Sequence, residues 1–263
     1  MSVIRIVAER LSRDRVVRRT IITSHGAAPI FVSPDAQLKY LKFGADAFDS
    51  DLIKIADCLI EPTSVVWDIG ANVGVFTFAC ALRSRAYTLA IEADTWLAGL
   101  IRRSAMLEAY KGRDVRILPA AVSNRDGVAE FLIAERGRAS NALASAGGRS
   151  QMGGVRERVL VPTLTLDSIA GSQPSPDFVK IDVEGAELDV LLGAQSLLAT
   201  RRPTLYIEIG ASMFHKCTEL LKSLEYEAFG IDGRPAEKQE QSNYFFVHSK
   251  NNAMKTAISA LNR

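Results

Sequence analysis

From Val65 onward, short apolar runs alternate with longer segments in which apolar residues recur at helical spacing. Strand-like runs include SVVWDIGA, YTLAIEA and PTLYIEIG, and helix-like segments include VGVFTFACALRSR and DTWLAGLIRRSAMLEAYK. Alternation of this kind is typical of βαβ units and predicts an α/β fold around a mostly parallel, doubly wound sheet. The last two runs, EAFGID and NYFFVHS, are joined by a turn-forming stretch and predict an antiparallel pair at one edge of the sheet.

The chain before Val65 has a different pattern. Residues 16–43 contain short apolar patches separated by Gly and Pro, which predict a small β-rich region. Upstream, Ile4, Val7 and Leu11 recur at helical spacing within an arginine-rich stretch and predict a short amphipathic helix. We therefore divide the chain into an N-terminal extension, a catalytic domain and a C-terminal tail: 1–48, 49–250 and 251–263.

Composition sets limits on the partners of the protein. The 263 residues carry a formal net charge of +2, which is too mild to suggest nucleic acid as an obligate partner. No apolar run approaches the length of a membrane span. The three cysteines lack metal-like spacing, which predicts free thiols in a reducing compartment and hence a cytoplasmic protein: Cys58, Cys80 and Cys217.

The sequence DIGANVG places Asp68, Gly70, Asn72 and Gly74 where the first parallel strand turns into its helix. Ligands of open α/β sheets bind at such junctions, and glycine lets a ligand approach the backbone closely. The second glycine of a dinucleotide fingerprint is missing, and the acid Asp68 suits a ligand with an amino group, such as S-adenosyl-L-methionine. Glu92, at the end of the next strand, is a candidate to accept both hydroxyls of a ribose.

The sequence FVKIDVEGAE carries carboxylates at the end of a buried-looking strand. Asp182 and Glu184 are two residues apart, so on a strand they would share one face, and Glu208 ends the following strand. One of these carboxylates is a candidate base for a substrate hydroxyl. Alternatively, the three would hold a divalent cation such as Mg²⁺. His215 follows the last of these strands and is a further candidate general base, although a solvated histidine is the simpler interpretation.

Residues 134–158 are rich in Gly, Ser, Ala and Arg, lack periodicity, and predict a lid or a disordered excursion. Within this segment, Asn141 is a candidate to reach the cofactor or the substrate. Its arginines are candidates to recognise a uronate or a phosphate, although solvation is the simpler interpretation for any one of them: Arg136, Arg138, Arg149, Arg156 and Arg158. Asp167, further on, is interpreted as a helix N-cap.

Together, the segments DIGANVG, IEADTWLAGLIRRSA, AAVSN, VPTLTLD, FVKIDVEGAELDVLLGA and RPTLYIEIG resemble the FkbM-type family of S-adenosylmethionine-dependent methyltransferases over about residues 45–230. The resemblance implies a class I methyltransferase fold with a seven-stranded sheet whose last strand is antiparallel. It also implies O-methylation of a sugar or another small hydroxylated metabolite. Ala121 and Ser123 of AAVSN then fall where adenine often lies.

Two other functions compete with this interpretation. A nucleotide-binding oxidoreductase would share the sheet, but the incomplete glycine pattern and Asp68 disfavour it. A catalytically silent binding module would keep the pocket, but the retained carboxylates disfavour it. We therefore expect an O-methyltransferase with a small, sugar-like substrate, no nucleic-acid partner and no membrane span, and we leave open a homo-oligomer.

Overall fold

Seven strands form the central sheet of the protein, for which a computed structural model describes residues 8–85, 87–146, 152–236 and 241–261. The strands are β3 (Val65–Ile69), β4 (Tyr87–Ile91), β5 (Val115–Leu118), β10 (Phe178–Ile181), β11 (Thr204–Glu208), β12 (Tyr226–Gly230) and β13 (Asn243–His248). Their spatial order is β12-β13-β11-β10-β3-β4-β5, and β13 runs antiparallel to both of its neighbours. The prediction of a seven-stranded sheet with an antiparallel last strand is confirmed. The predicted antiparallel pair at one edge of the sheet is also confirmed, with β12 as the edge strand and β13 beside it.

Helices cover both faces of this sheet. Successive residues of a strand point to opposite faces, so Phe178 joins one hydrophobic cluster and Val179 the other. The first face packs against α1 (Ser50–Leu59), α2 (Val75–Arg83), α3 (Thr95–Ala105) and α8 (Asn252–Ala260). The second face packs against α4 (Leu166–Ala170), α5 (Glu187–Leu192), α6 (Gln195–Thr200) and α7 (Ala211–Ser223). The carboxyl ends of the parallel strands therefore open between two helical layers.

The N-terminal region forms a β-hairpin of β1 (Val17–Thr23) and β2 (Gly26–Val32) that packs on α3. The backbone N–H of Phe31 donates to Ser104 Oγ at 2.8 Å. The apolar patch at 38–41 forms a 3₁₀ turn and not a strand. Ile4 and Val7 of the expected helix lie outside the described residues, while Leu11 lies in a helical turn at 8–11 and is exposed.

A second sheet of four strands is inserted between β5 and α4. It contains β6 (Ala121–Val122), β7 (Gly127–Ala134), β8 (Ala142–Leu143) and β9 (Val155–Leu164), in the order β6-β9-β7-β8. The apolar run VRILPAAVS, which resembles a single strand in the sequence, contains β5 and β6, and these two strands belong to different sheets. The expectation of an excursion at 134–158 is also wrong where the structure describes it, because this stretch contains a 3₁₀ turn, β8 and the start of β9. Residues 147–151 lie outside the described part.

Local contacts explain two further departures from the sequence predictions. The segment 187–200 forms two helices, because Gly193 packs so closely on Ser123 that an added Cβ would lie 2.2 Å from its carbonyl oxygen. Asp167 does not cap its own helix, which Thr165 caps. The Asp167 carboxylate instead accepts hydrogen bonds from the backbone N–H groups of residues 196 and 197 in α6. Within the described ranges, the helices are too short or too polar to span a bilayer.

Candidate active site

Two glycine-dependent turns bring the β3–α2 loop against the loop after β10. Gly70 has a φ of +71°, and a Cβ at this position would lie 1.8 Å from the carbonyl oxygen of Asp182. Gly74 has a φ of +84°, and a Cβ there would lie 2.9 Å from the Phe78 ring. Residues other than glycine are strained at such φ values, and here their side chains would also collide with these neighbouring atoms. The two sequence motifs therefore meet at the carboxyl edge of the sheet because Gly70 has no side chain.

The first cavity at this edge, which we call the enclosed compartment, has a volume of about 590 Å³. Its polar lining side chains are Asn72, Glu92, Arg138, Asn141, Asp182 and Glu184. Its apolar lining includes Ile69, Ile91, Leu97, Ala121, Val122, Phe131 and Leu143. Small-molecule sites combine apolar contact surface with polar groups that fix the ligand's orientation. The enclosed compartment has the chemistry for a nucleoside.

Glu92 lies directly after β4 and is only 7% exposed. Its Oε2 accepts a hydrogen bond from the backbone N–H of Asn72 at 2.7 Å, and its Oε1 accepts one from the N–H of Asp94 at 2.8 Å. Burial raises the pKa of Glu92 to about 8, and the nearby Asp94 carboxylate adds to the rise, whereas the two N–H donors oppose it. Each carboxylate oxygen keeps a second lone pair for a ligand hydroxyl.

The second cavity, which we call the acidic compartment, has a volume of about 530 Å³ and shares Gly70, Asn72 and Asp182 with the enclosed compartment. Its charged lining residues are Lys39, Asp49, Asp68, Lys180, Asp182 and Glu208. Four carboxylates and two lysines thus surround a space that begins where the enclosed compartment ends. A single ligand that occupied both compartments would pass between Gly70, Asn72 and Asp182.

Asp68 is fully buried at the end of β3. Its Oδ2 accepts hydrogen bonds from the backbone N–H and the hydroxyl of Thr77 at 3.1 and 2.6 Å. Lys180 Nζ lies 3.2 Å from Asp68 Oδ1 and 3.6 Å from Asp182 Oδ2. Burial works against the charge on Lys180, but the carboxylates of Asp68 and Asp182 outweigh it and raise the pKa of this lysine well above its usual value.

One buried oxygen at the junction of the compartments, Asn72 Oδ1, has no hydrogen-bond donor among the described residues, while Asp68 Oδ1 in the acidic compartment has the Lys180 ammonium at 3.2 Å. Buried polar atoms are nearly always hydrogen-bonded, so unsatisfied acceptors point to a missing donor. Asn72 itself has a φ of +54°, which is uncommon for a residue with a side chain. Asn72 Oδ1 therefore offers a preformed acceptor to a ligand that carries an N–H donor, and Asp68 Oδ1 offers a second acceptor that the ligand would share with Lys180.

A buried ionic network forms the wall behind Glu92, and the sequence did not predict it. Asp94 Oδ1 caps α3, while its Oδ2 accepts from Arg138 at 2.6 Å and from Asn141 at 2.9 Å. Arg138 also donates to Asp35 at 3.0 Å and stacks over the Trp96 ring. Arg138 is buried, and its guanidinium is engaged by carboxylates, which raise its pKa although burial opposes this. Arg138 and Asn141 thus shape the cavity wall through Asp94.

Other arginines of the 134–158 segment are also bound within the protein. Arg156 pairs with Asp35 at 3.1 Å, and Arg158 pairs with Glu130. Arg149 lies outside the described residues. Arg136 has no carboxylate of the described chain within ion-pair distance. It differs in this respect from Arg138, Arg156 and Arg158, which all form ion pairs.

The structure separates the three carboxylates that the sequence places together. The expectation that Asp182 and Glu184 share a strand face is wrong, because β10 ends at Ile181 and Glu184 lies in a turn with a φ of +51°. Glu184 consequently lines the enclosed compartment, whereas Glu208 lines the acidic one. Within the described ranges, no three acidic, histidine or cysteine side chains are arranged as metal ligands would be. The proposed Mg²⁺ set of Asp182, Glu184 and Glu208 does not fit this geometry.

The remaining sequence candidates have clear positions. Ala121 lines the enclosed compartment, but Ser123 does not, and its backbone N–H donates to Leu164 O at 3.0 Å. His215 lies in the first half of α7 with a side chain that is 83% exposed, and its Nε2 is 3.2 Å from Glu219. It lines neither compartment. His248, by contrast, is buried within β13.

The sheet order, with a cavity at the carboxyl ends of β3 and β4, defines a Rossmann-like, doubly wound α/β protein. The chain belongs to the FkbM methyltransferase domain family, whose model matches residues 68–228. This confirms the family resemblance of the sequence motifs.

Individual relatives are distant. The hexuronic acid methyltransferase AglP of Haloferax volcanii is 22% identical over 152 residues, which cover 57% of this chain and 58% of that protein. The crystal structure of methyltransferase FkbM from Methylobacillus flagellatus aligns with a TM-score of 0.47 and 16% identity, over 72% of this chain and 44% of that one. Trm5 of Methanocaldococcus jannaschii, in complex with adenosine, aligns with a TM-score of 0.45 and 13% identity, over 90% and 57% of the two chains. The match thus spans about half the length of these relatives.

Proposed function

We propose that this protein transfers the methyl group of S-adenosyl-L-methionine to an oxygen atom of a sugar that carries an acidic group. The observation that carries the proposal is the unsatisfied buried acceptor Asn72 Oδ1, beside the buried Asp68 carboxylate and a cavity with Glu92 in its wall. The name of the Haloferax relative, a hexuronic acid methyltransferase, supports the substrate class. When bound, the cofactor supplies a methyl group on a positively charged sulfur.

The enclosed compartment would hold the nucleoside. Glu92 would accept hydrogen bonds from both ribose hydroxyls with the lone pairs that its two backbone donors leave unused. The apolar side chains of Ile91, Leu97 and Phe131 would contact the base. Because Asn72 N–H holds Glu92 in place, the carboxylate needs little rearrangement on binding, which favours affinity.

The junction would hold the amino acid end of the cofactor. An ammonium group has three donors and no acceptor, which complements Asp68 Oδ1 and Asn72 Oδ1. Lys180 does not remove this complementarity, because its ammonium is shared between Asp68 and Asp182 and also donates to Gly70 O at 3.1 Å. The acidic compartment keeps a net excess of carboxylates.

Asp182 lies where the two compartments meet and is assigned to the acceptor hydroxyl. Its side chain is 35% exposed, and one of its oxygens faces Lys180. The other oxygen would accept the hydroxyl proton as the new carbon–oxygen bond forms, with Glu208 orienting the sugar from the same compartment. Alignment of the hydroxyl oxygen with the carbon–sulfur bond supplies the rest of the rate enhancement.

Mass spectrometry of acceptor sugars incubated with the protein and S-adenosyl-L-methionine tests the proposal. We expect a gain of one methylene mass on an acidic glycoside. Treatment with alkali then distinguishes a methylated carboxylate from a methylated hydroxyl, since alkali removes a methyl ester and leaves a methyl ether. Asp182→Asn should lower ether formation about a hundredfold or more, since a general base contributes that much. A carboxylate acceptor needs no base, so ester formation would change little.

Asp189→Asn is the matched control for this variant. Asp189 belongs to the same sequence motif but bonds to exposed Asn124 at 2.9 Å, outside both compartments. It should leave transfer unchanged. Tight binding of S-adenosylhomocysteine without transfer to any acidic or neutral glycoside would contradict the proposal and indicate a silent binding module.

A further inference from the structure

A third cavity, of about 1100 Å³, shares lining residues with both compartments. One of its walls comes from N-terminal residues that lie outside the range 68–228 matched by the family. It is lined by residues of the N-terminal region and of the 3₁₀ turn after β7, and Gln37 and Lys39 also line the acidic compartment. Ala139 also lines the enclosed compartment. We call this space the acceptor groove. The shared residues Gln37 and Lys39 place it next to the acidic compartment, which Asp182 also lines.

Both walls of the acceptor groove are fixed to each other. The backbone N–H of Arg138 donates to Asp35 O at 2.9 Å, and that of Ala139 donates to Ala36 O at 3.4 Å. The Arg138 and Arg156 side chains both pair with the Asp35 carboxylate. An extension from one end of the chain and an insertion from its middle are therefore joined as one surface, which preorganises the groove for a ligand.

Two cations line the acceptor groove without a carboxylate partner in the described chain: Lys39 and Arg136. The stem of Arg136 packs on Gly153, where an added Cβ would lie 2.5 Å from Arg136 Cγ and where φ is +68°. The backbone N–H of Arg136 donates to Met152 O at 3.2 Å. Arg136 is thus held in place by its stem, while its guanidinium is left for another partner.

Lys39 lies at the boundary between the acceptor groove and the acidic compartment. It is half-buried in the 3₁₀ turn at 38–41, with Nζ 5.9 Å from the Tyr40 ring centre. Burial lowers the pKa of Lys39, and the carboxylates of Asp49 and Asp182 partly offset this change. An anionic group bound beside Lys39 would favour its charged form.

Resting on the proposed function, we propose that Lys39 and Arg136 form the subsite that recognises the carboxylate of a uronic acid in the acceptor. A carboxylate accepts hydrogen bonds from a lysine and an arginine together. The neighbouring acids Asp49 and Asp182, with Glu9 on the groove wall, disfavour a doubly charged phosphate more than a singly charged carboxylate. The acceptor groove therefore fixes which sugar reaches Asp182.

Calorimetry with p-nitrophenyl β-D-glucuronide and the matching β-D-glucoside tests this subsite, with and without saturating S-adenosylhomocysteine. The two probes differ in one carboxylate. We expect the wild-type protein to bind the glucuronide at least about tenfold more tightly, the size of effect that a hydrogen bond to a charged group gives. The preference should fall as salt concentration rises. Equal affinity for the two probes would overturn the assignment, and so would tighter binding of glucose 1-phosphate than of the glucuronide.

Substitutions test whether Lys39 and Arg136 cause the preference for the glucuronide over the glucoside. Lys39→Gln and Arg136→Gln should each reduce it about threefold and together abolish it, while Lys39→Arg and Arg136→Lys should retain it. Arg158→Gln is the matched control, because Arg158 is 58% exposed and pairs with Glu130. Binding of S-adenosylhomocysteine should be the same in the Arg136 and Arg158 variants, since these two residues line neither cofactor compartment.

The outcomes separate this inference from the proposed function. A protein that binds S-adenosylhomocysteine but keeps its glucuronide preference in the double variant would overturn the subsite alone. A protein that prefers the glucuronide through Lys39 and Arg136 but does not bind S-adenosylhomocysteine would support the subsite and contradict the proposed cofactor.

Discussion

We predict that Glu92 couples nucleoside binding to proton release. Its pKa is about 8 in the ligand-free protein, because burial disfavours the carboxylate. At pH 7 about nine in ten molecules would then carry a proton on Glu92. Two ribose hydroxyls donate to the ionised form, so binding should expel this proton. We expect about 0.9 proton to be released per nucleoside bound at pH 7.

The same pKa sets the pH dependence of affinity. If the complex holds Glu92 ionised throughout, the apparent affinity rises about fivefold from pH 7 to pH 8 and then levels off. 5′-Methylthioadenosine is the appropriate ligand, since it lacks the amino acid part and its titration. Calorimetry in buffers with different ionisation enthalpies counts the protons directly. An affinity that is flat from pH 6 to pH 8.5, with no proton release, would refute this reasoning.

Glu92→Gln is the control, because an amide has no proton to lose in this range. Its affinity should be independent of pH and about tenfold or more below that of the wild type at pH 8.5, since a charge-assisted hydrogen bond is lost. The stability of the ligand-free protein should respond to rising pH in the direction opposite to that of nucleoside affinity. The folded-state pKa of Glu92 lies above the usual value of 4.5, so the folded state binds more protons between these values. The free energy of unfolding of the ligand-free protein should therefore fall as pH rises from about 4.5 to about 8.

Three further substitutions test the rest of the site. Lys180→Met should lower the free energy of unfolding in urea by about 3–5 kcal/mol, because it leaves buried Asp68 uncompensated, and adding Asp68→Asn should restore part of this loss. Gly70→Ala should abolish folding or nucleoside binding. Gly99→Ala in α3, where an added Cβ meets nothing within 4 Å, should instead stabilise the protein by about 0.5–1 kcal/mol. Equal thermal stability of the two variants would contradict this account of the turn. His215→Ala should leave the rate of methyl transfer unchanged, since this side chain is exposed on α7, and a large fall in that rate would show that it reaches the substrate.

The proximity of the candidate site motifs could be predicted from the sequence because these motifs follow strands. Asp68 and Glu92 come directly at the ends of parallel strands, and parallel strands share one carboxyl edge, so their proximity follows from the fold class. Lys180 could also have been recognised, because a lysine within the buried strand FVKI needs a carboxylate partner.

The ionic network could not be predicted in the same way. Arg138 and Asp94 are 44 residues apart, and Arg138 lies in an irregular segment whose composition is typical of a solvated loop. Asp35 reaches Arg138 from a region 103 residues upstream. No periodicity links such positions, since their contact depends on how the second sheet and the hairpin pack together. Glu184 illustrates a second limit of sequence patterns. Its own backbone is left-handed, so its side chain leaves the face that strand geometry implies.

The most direct test of the central claim compares S-adenosylhomocysteine with 5′-methylthioadenosine in the wild-type protein and in Asp68→Asn. The two ligands share the nucleoside and differ in the amino acid part, which the account places against Asp68 Oδ1. We predict that the wild type prefers S-adenosylhomocysteine, and that Asp68→Asn loses most of this preference while its affinity for 5′-methylthioadenosine is unchanged. Failure of the wild type to bind either ligand, or an equal loss of both in Asp68→Asn, would contradict the assignment of these compartments to the cofactor.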